Sequence, residues 1–327
     1  MEKHEQISPY YLFYIKGCNF AKTNSQVDLR MATEYLEKAL SFKETDIAFQ
    51  QLAIAFAKLD DTEMYENTII RGANAGFKSF YSVCGLFYAN NKDKANEEKS
   101  LMWFNKGIES NDPKSFFDLA KLYMNGCAAF KKDINQAEVL LQKGLSLHNP
   151  KWNGLFSFLL GNLCYEKRMF SIAAKLYKKA IDYGYLQATN NLALMYRDGV
   201  GVKQDPEKYM EYLMMYLCPE NAVEIAGVYL TDRFAPPNEE IAFMYFQYAA
   251  SKGHAISAIM CAGFLIERKS TDEALINRYL EIAFKNGIND ENLKDHFDDI
   301  EMTLGKGVSQ KLKELAEKYW NMRRSVA

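Results

Sequence analysis

Small and bulky hydrophobic residues alternate at a regular interval along this 327-residue chain. Apolar side chains return every three or four residues through most segments, which predicts α-helices almost from end to end. Within this pattern a small residue precedes a bulky one by three positions, as in LAKLYMNG at 119–126 and LALMYRDGVGV at 192–202. Successive small positions are 32 to 41 residues apart, which indicates a structural repeat. These positions are Gly17, Ala53, Gly85, Ala120, Gly161, Ala193, Ala226 and Ala262.

A second helical signature follows each first one. Two small residues lie seven positions apart, with a bulky pair three and four places after the first of them. Since two helical turns take about 7.2 residues, both small residues share one face, where a neighbouring helix can approach closely. A single helix pair buries too little apolar surface to fold alone, so the pairs are expected to stack. The clearest copies are Ala32/Tyr35/Leu36/Ala39, Ala173/Leu176/Tyr177/Ala180 and Ala242/Tyr245/Phe246/Ala249.

Capping and turn residues fall between these segments. Asp205-Pro206 predicts the start of a second helix, and Gly253 and Gly287 are placed to end helices. No long linker interrupts the pattern, so we expect one continuous array over residues 1–290. Residues 291–327 are expected to add an acidic turn and a capping helix. The apolar stripe of that helix is Val308, Leu312, Leu315, Ala316 and Tyr319.

Three segments carry a family resemblance. Residues 187–216, QATNNLALMYRDGVGVKQDPEKYMEYLMMY, resemble a Sel1-like repeat, and so do residues 238–258. Residues 161–184 are similar to a tetratricopeptide repeat, the sister class with a shorter turn. The resemblance extends over about eight units and implies an all-α fold: an α-solenoid, a right-handed superhelix of antiparallel helix pairs with C-terminal capping helices. Several units lack the Gly-x-Gly loop of the family.

The charge balance and the cysteines indicate which kinds of partner and which cellular compartment the sequence favours. Forty Lys+Arg against 42 Asp+Glu give a net charge of −2, which argues against a dedicated nucleic-acid or anionic-membrane binder. The longest apolar-rich run, residues 153–165, is too short to span a membrane, and no signal peptide is visible. Six widely spaced cysteines form no CxxC motif. The prediction is a cytoplasmic chain with reduced thiols.

Motifs of catalysis are missing from the sequence. The chain has no GxSxG, HExxH, GxxxxGK[ST] or SxxK pattern, and its four histidines lie far apart. The glycine loop at 199–203 lies between two predicted helices, so it is interpreted as a turn and not as a phosphate-binding loop. Likewise, His296 among Asp295, Asp298 and Asp299 is interpreted as a solvated acidic turn and not as a cation site. We therefore expect no cofactor, no metal and no enzymatic activity.

The resemblance to tetratricopeptide arrays implies that the first helices line a concave groove. Residues three before, one after, and four or five after each small position would then face a partner. Amide groups there can both donate to and accept from a peptide backbone, and Lys or Arg would favour carboxylates. The candidate binding residues are Tyr14, Lys22, Gln50, Lys58, Asn90, Lys121, Asn125, Asn162, Tyr165, Glu166, Asn190, Arg197 and Asp198.

These observations favour a non-catalytic scaffold or adaptor that binds a partner protein or an extended peptide in the groove. Two alternatives stay open. The first is a bacterial immunity protein that binds and neutralises a cognate toxin or effector enzyme, a role that small Sel1-like proteins can have. The second is an unrecognised hydrolase that uses carboxylates from several repeats.

Overall fold

Helices make up all the regular structure of the described residues. Within each of the two compact units of the chain, successive helices pack against each other in sequence order. The computed structural model describes residues 8–23, 25–231, 234–287, 301 and 305–324, with side chains of the last helix described as far as Leu315.

The chain divides into two compact units, residues 1–167 and 168–327. The boundary falls in the turn between α9 and α10, a place that no pattern in the sequence marks. The first unit contains α1 (Pro9–Ala21), α2 (Gln26–Phe42), α3 (Asp46–Lys58), α4 (Thr62–Asn74), α5 (Ser79–Asn90), α6 (Glu97–Glu109), α7 (Pro113–Asn125), α8 (Ile134–Ser146) and α9 (Pro150–Glu166). The second contains α10 (Phe170–Asp182), α11 (Ala188–Asp198), α12 (Pro206–Met215), α13 (Pro219–Leu230), α14 (Glu239–Ser251), α15 (Ala255–Glu267), α16 (Glu273–Lys285) and α17 (Lys306–Arg324).

The small positions of the repeat lie where the sequence predicts them. One falls on each odd-numbered helix from α1 to α15, and all eight are buried. The odd-numbered helices up to α15 are therefore the predicted first helices, and the even-numbered helices are the second helices. This confirms the predicted all-α solenoid of repeated helix pairs.

Close contacts explain why the small residues are needed within a pair. A methyl group added at Gly17 would lie 2.7 Å from Cγ of Leu36, and one added at Gly85 would lie 2.6 Å from the Phe104 ring. Leu36 and Phe104 occupy the same place in the bulky pair of their second helices, and both are fully buried. The bulky side chain of the second helix thus fills the space that the small residue of the first helix leaves open.

The same rule operates between pairs. A methyl group at Gly72 of α4 would lie 2.8 Å from the ring of Phe80 in α5, and one at Gly144 of α8 would lie 2.6 Å from the ring of Phe156 in α9. Phe80 and Phe156 each lie five residues before the small position of their own helix. The same contact therefore holds α4 against α5 and α8 against α9.

Caps and turns close the helices as predicted. Asp205 accepts from the Lys208 N–H at the start of α12, with Pro206 in the first turn. Gly253 and Gly287 have φ of 90° and 110°, values that glycine adopts without strain. At the C-terminal end Leu312 of α17 is fully buried in the core of α15 and α16. The predicted boundary at residue 290 and the acidic turn after it lie outside the described residues, so the domain division stays a prediction.

A polar link joins the second and third repeats. Glu66 of α4 accepts from Tyr88 Oη of α5 at 2.5 Å and from the Lys94 ammonium in the following loop. Burial raises the pKa of Glu66, but the hydrogen bonds from Lys94 and Tyr88 outweigh burial, so the pKa lies below its usual value. The ionised carboxylate therefore stabilises the packing of α4 on α5.

Gly85→Leu should destabilise the protein by about 2–3 kcal/mol, because Phe104 cannot move out of a filled core. Gly227→Leu is the matched control, since a methyl group added at Gly227 would meet no atom within 4 Å. That change should leave stability equal or raise it by up to about 1 kcal/mol through helix propensity. Urea unfolding followed by circular dichroism measures both variants. Equal effects at the two positions would contradict the packing rule.

Glu66→Gln should cost about 1–2 kcal/mol at neutral pH, because the charge-assisted hydrogen bonds weaken. The folded-state pKa is lowered, so this stabilisation is complete above the ordinary carboxyl pKa and is lost as the pH falls through the folded value. The stability difference between wild type and variant should therefore shrink below about pH 4.5. Urea titrations at several pH values test this; a constant difference down to acid pH would show that the carboxylate charge is not involved.

Candidate functional site

Most of the predicted binding positions of the first unit lie in or just after the C-terminal halves of the first helices; Tyr14 and Gln50 lie in the N-terminal halves of α1 and α3. We call the side chains three before, one after, and four or five after each small position the first-helix face. Exposed polar residues occupy it in the first four repeats. They are Lys22, Gln50, Lys58, Asn90, Lys121 and Asn125.

Hydrogen bonds bring neighbouring members of this face together. Lys58 Nζ donates to the carbonyl of Ala21 at 2.8 Å, which places the lysine beside Lys22 across α1 and α3. The backbone N–H of Ala129, in the loop after α7, donates to the carbonyl of Ala89 at 3.2 Å. Asn90 is therefore adjacent to the loop that follows Asn125. These contacts bring equivalent positions together in two places, between α1 and α3 and between α5 and the loop after α7.

Tyr14 differs from the other candidates because it belongs to the core. Its ring is half-buried and stacks on Tyr10 with the centroids 5.7 Å apart. Burial and a hydrogen bond with Cys18 raise the pKa of Tyr14 to about 12. Tyr14 is therefore a packing residue, with little of its surface open to a partner.

The candidates on α9 are partly open to solvent. Tyr165 is 43% exposed and Glu166 is exposed, whereas Asn162 is half-buried. The three lie at positions equivalent to the exposed residues of α3, α5 and α7.

In the second unit the predicted charges are bound to each other. Arg197 donates from Nε and Nη2 to Asp198 at 2.9 and 3.0 Å, and from Nη1 to Glu224 of α13 at 3.1 Å. The hydrogen bonds with Asp198 raise the pKa of Arg197. Tyr209 of α12 donates to the same Glu224 oxygen at 2.9 Å. Arg197 and Asp198 therefore tie α11 and α12 to α13.

Asn190 has an unsatisfied polar atom on this face. Its Oδ1 is buried and has no hydrogen-bond partner within the described part of the chain. A buried acceptor without a partner carries a desolvation cost, which a donor from a bound molecule would relieve.

Sequence reasoning missed a buried ionic cluster between α5 and α7. Asp118 is 8% exposed; it accepts from the Ser82 hydroxyl and from Lys114 Nζ, the latter at 2.6 Å. Lys114 Nζ also donates to Ser82 Oγ at 2.8 Å. The available signal was a carboxylate within an apolar stripe, four residues after a lysine. This cluster holds two neighbouring first helices side by side.

Apolar members of the first-helix face were also missed. Val223, Gly227, Leu230 and Thr231 occupy the same repeat positions on α13 and line a cavity of about 500 Å³ against α14 and α15. The sequence prediction favoured residues that can form hydrogen bonds or ion pairs, so no candidate binding residue lies on α13. The signal that could have found the cavity is the glycine directly after the small position.

Three groups that could suggest catalysis in the sequence have structural surroundings: the glycine loop, His254 and Cys84. Gly201 has φ of 73° and packs against the Phe170 backbone, so the glycine loop makes a turn, as predicted. His254 caps α15 by accepting from the Ser257 N–H at 3.2 Å, and burial lowers its pKa. Burial raises the pKa of Cys84 to about 12.

No group of three or more His, Cys, Asp or Glu side chains in the described ranges could hold a metal ion. His4 and His296 lie outside those ranges. All six cysteines are free thiols. No helix in the described part of the chain combines the length and the apolar character that crossing a membrane needs.

Stacked helix pairs with this packing rule define an α-solenoid. Four of its segments match the Sel1 repeat family, in agreement with the sequence resemblance. The matches fall on the pairs α5/α6, α7/α8, α11/α12 and α13/α14. Their residues are 85–112, 117–149, 186–213 and 224–254.

Two solved structures share the fold at low sequence identity. A Sel1 repeat protein from Oxalobacter formigenes is 19% identical, with a TM-score of 0.64 over 94% of this chain and 86% of that one. The protein c5321, a protective antigen present in uropathogenic Escherichia coli strains, displays an SLR fold. It is 18% identical, with a TM-score of 0.54 over 94% of this chain and 72% of that one.

A curated relative is much longer than this chain. Chitin synthase regulatory factor 3 from Schizosaccharomyces pombe is 24% identical over 202 residues, which is 58% of this chain. The match spans only 22% of that protein.

Asp118→Ala should destabilise the protein by about 1–3 kcal/mol, because the buried Ser82 hydroxyl loses its acceptor and Lys114 loses its counter-ion. Lys114→Ala is the matched control. The Lys114 side chain is 41% exposed, and its removal leaves the Ser82 hydrogen bond intact, so its cost should stay below about 1 kcal/mol. Thermal unfolding of both variants measures the two losses of stability. A larger loss for Lys114→Ala would contradict the assignment of Asp118 as the centre of the cluster.

Proposed function

We propose that this protein is a non-catalytic scaffold that binds a partner protein or extended peptide along its first-helix face. The observation that carries the proposal is the recurrence of exposed Lys and Asn side chains at equivalent positions of neighbouring first helices. Lys22 lies beside Lys58, and Asn90 lies beside the loop after Asn125.

The spacing of the repeat suits an extended chain. Neighbouring helices pack about 8–10 Å apart, and three residues of an extended peptide span about 10 Å. An amide on each successive first helix can therefore meet every third peptide unit, donating to its carbonyl and accepting from its N–H. Repetition lets several weak contacts act together on one ligand.

Charge indicates the kind of partner that the first unit favours. Lys22, Lys58 and Lys121 are exposed on its first-helix face, so a segment rich in carboxylates would gain charge-assisted hydrogen bonds. The six free thiols support a reducing compartment such as the cytoplasm as the place of action.

A triple substitution tests the proposal: Asn90→Ala, Lys121→Glu and Asn125→Ala. The tagged full-length protein is used to recover partners from lysate of the source cells, with quantitative mass spectrometry as the readout. Loss of two amides and reversal of one charge should reduce recovery of the true partner by at least about tenfold. The exposed positions predict little effect on thermal stability.

The matched control changes α8, the second helix of the repeat that contains Lys121 and Asn125: Gln142→Ala, Lys143→Glu and Ser146→Ala, all exposed. Wild type and control should recover the same partner in equal amounts. If both triple variants lose the partner equally, or if neither does, binding does not use the first-helix face.

A further inference from the structure

The cavity on the second unit has the form of a side-chain pocket. Its volume is about 500 Å³, and it lies between α13, α14 and α15. Phe246, Met260 and Phe264 are nearly or fully buried and form its apolar floor. Ile256, which is 38% exposed, lies at its open side. Volumes of this size are typical of sites that enclose a bound group.

The pocket lies at a repeat position that has no side chain. Gly227 occupies the position directly after the small residue of α13, where α3 has Ile54, α5 has Leu86 and α11 has Leu194. The glycine of α15 at the same position is buried, so only on α13 does the glycine border open space. A methyl group at Gly227 would meet no atom within 4 Å. The glycine costs helix stability without helping two helices to approach, unlike Gly17 or Gly85. Its effect is to leave the space open.

Two carboxylates lie at the edge of the pocket. Glu239, in the first turn of α14, and Glu267, the last residue of α15, both line it and are exposed. Their neighbours Glu240 and Arg268 form an ion pair with each other at 3.1 Å. Within the described ranges, neither Glu239 nor Glu267 has a salt bridge to a basic side chain. The apolar floor is therefore bordered by negative charge.

We propose that this pocket binds a phenylalanine side chain of a partner peptide that has an arginine or lysine next to it. The inference rests on the proposed function and specifies the partner chemistry of the second unit. The ring of Phe246 and the sulfur-containing side chain of Met260, which keep a small exposed area, favour an aromatic occupant through ring–ring and sulfur–ring contacts. Glu239 and Glu267 favour a cation beside it. The first unit, with its exposed lysines, favours the opposite charge, so the two units select different segments of a partner.

The test uses the full chain with methyl-labelled methionine and three blocked hexapeptides as probes: Gly-Ser-Phe-Arg-Ser-Gly, Gly-Ser-Phe-Glu-Ser-Gly and Gly-Ser-Ser-Arg-Ser-Gly. Met260→Leu assigns the Met260 methyl signal in the NMR spectrum. The Phe-Arg peptide should shift that signal with a dissociation constant at or below about 5 mM, the range that one buried side chain can supply. The Phe-Glu peptide should bind at least about fivefold more weakly, because two exposed charge interactions reverse sign. The Ser-Arg peptide should give no shift.

Two variants separate pocket binding from misfolding. Gly227→Leu fills the cavity and should abolish the Met260 shift while the melting temperature stays equal or rises. Gly307→Leu, at an exposed position of α17 with no atom within 4 Å of an added methyl group, is the matched control and should bind like wild type. Glu239→Gln with Glu267→Gln should remove the preference for Phe-Arg over Phe-Glu.

Several results would overturn the inference: equal binding of the Phe-Arg and Phe-Glu peptides, an unchanged shift in Gly227→Leu, or no shift with any peptide. A second copy of this chain is a rival occupant. If light scattering shows a dimer that Gly227→Leu converts to a monomer, the pocket binds the chain itself. Loss of the partner in the Asn90/Lys121/Asn125 variant is measured on the other unit, so the proposed function can stand when the pocket inference fails.

Discussion

Close approach of helices at small residues is the constraint on which the rest of this structure depends. Where the first helix has glycine, as at Gly17 and Gly85, a bulky side chain of the second helix occupies the space directly over its backbone. Between pairs the roles are exchanged: the second helix has the glycine and the next first helix has the bulky ring. Gly72 lies under Phe80 in this way, and Gly144 lies under Phe156. Each contact fixes only neighbouring helices, and its repetition in the first unit holds successive helices in order.

Polar links are added to this apolar framework and fix neighbouring first helices relative to each other. Asp118 with Lys114 and Ser82 joins α5 to α7, and Arg197 with Glu224 joins α11 to α13. A buried or half-buried ion pair adds modest stability but penalises any packing that separates its members. The residues with the strongest charge pairing are therefore the least available to a partner, which is why the proposed function rests on the exposed Lys and Asn positions.

Glycine has two opposite uses in this chain. At Gly85 the ring of Phe104 fills the space that a side chain would occupy. At Gly227 the corresponding space stays empty and opens to solvent beside Glu239 and Glu267. The two glycines lie one residue apart in the repeat: Gly85 is itself a small position, and Gly227 directly follows the small position Ala226. A departure from the repeat pattern thus produced a cavity on the same face that elsewhere presents polar side chains.

The sequence by itself determined the helices, their pairing and the eight small positions, because helical periodicity and steric contact over a few turns are local properties. It also predicted that Lys22, Lys58, Asn90 and Asn125 lie at equivalent repeat positions, since each lies five residues after the small residue of its helix. It could not show that Tyr14 is half-buried, that Arg197 is paired with Glu224, or that Asp118 is satisfied by Ser82. Those outcomes depend on side chains 27 to 36 residues away, or on how stacked aromatic rings fill space, and only the tertiary structure brings these groups together.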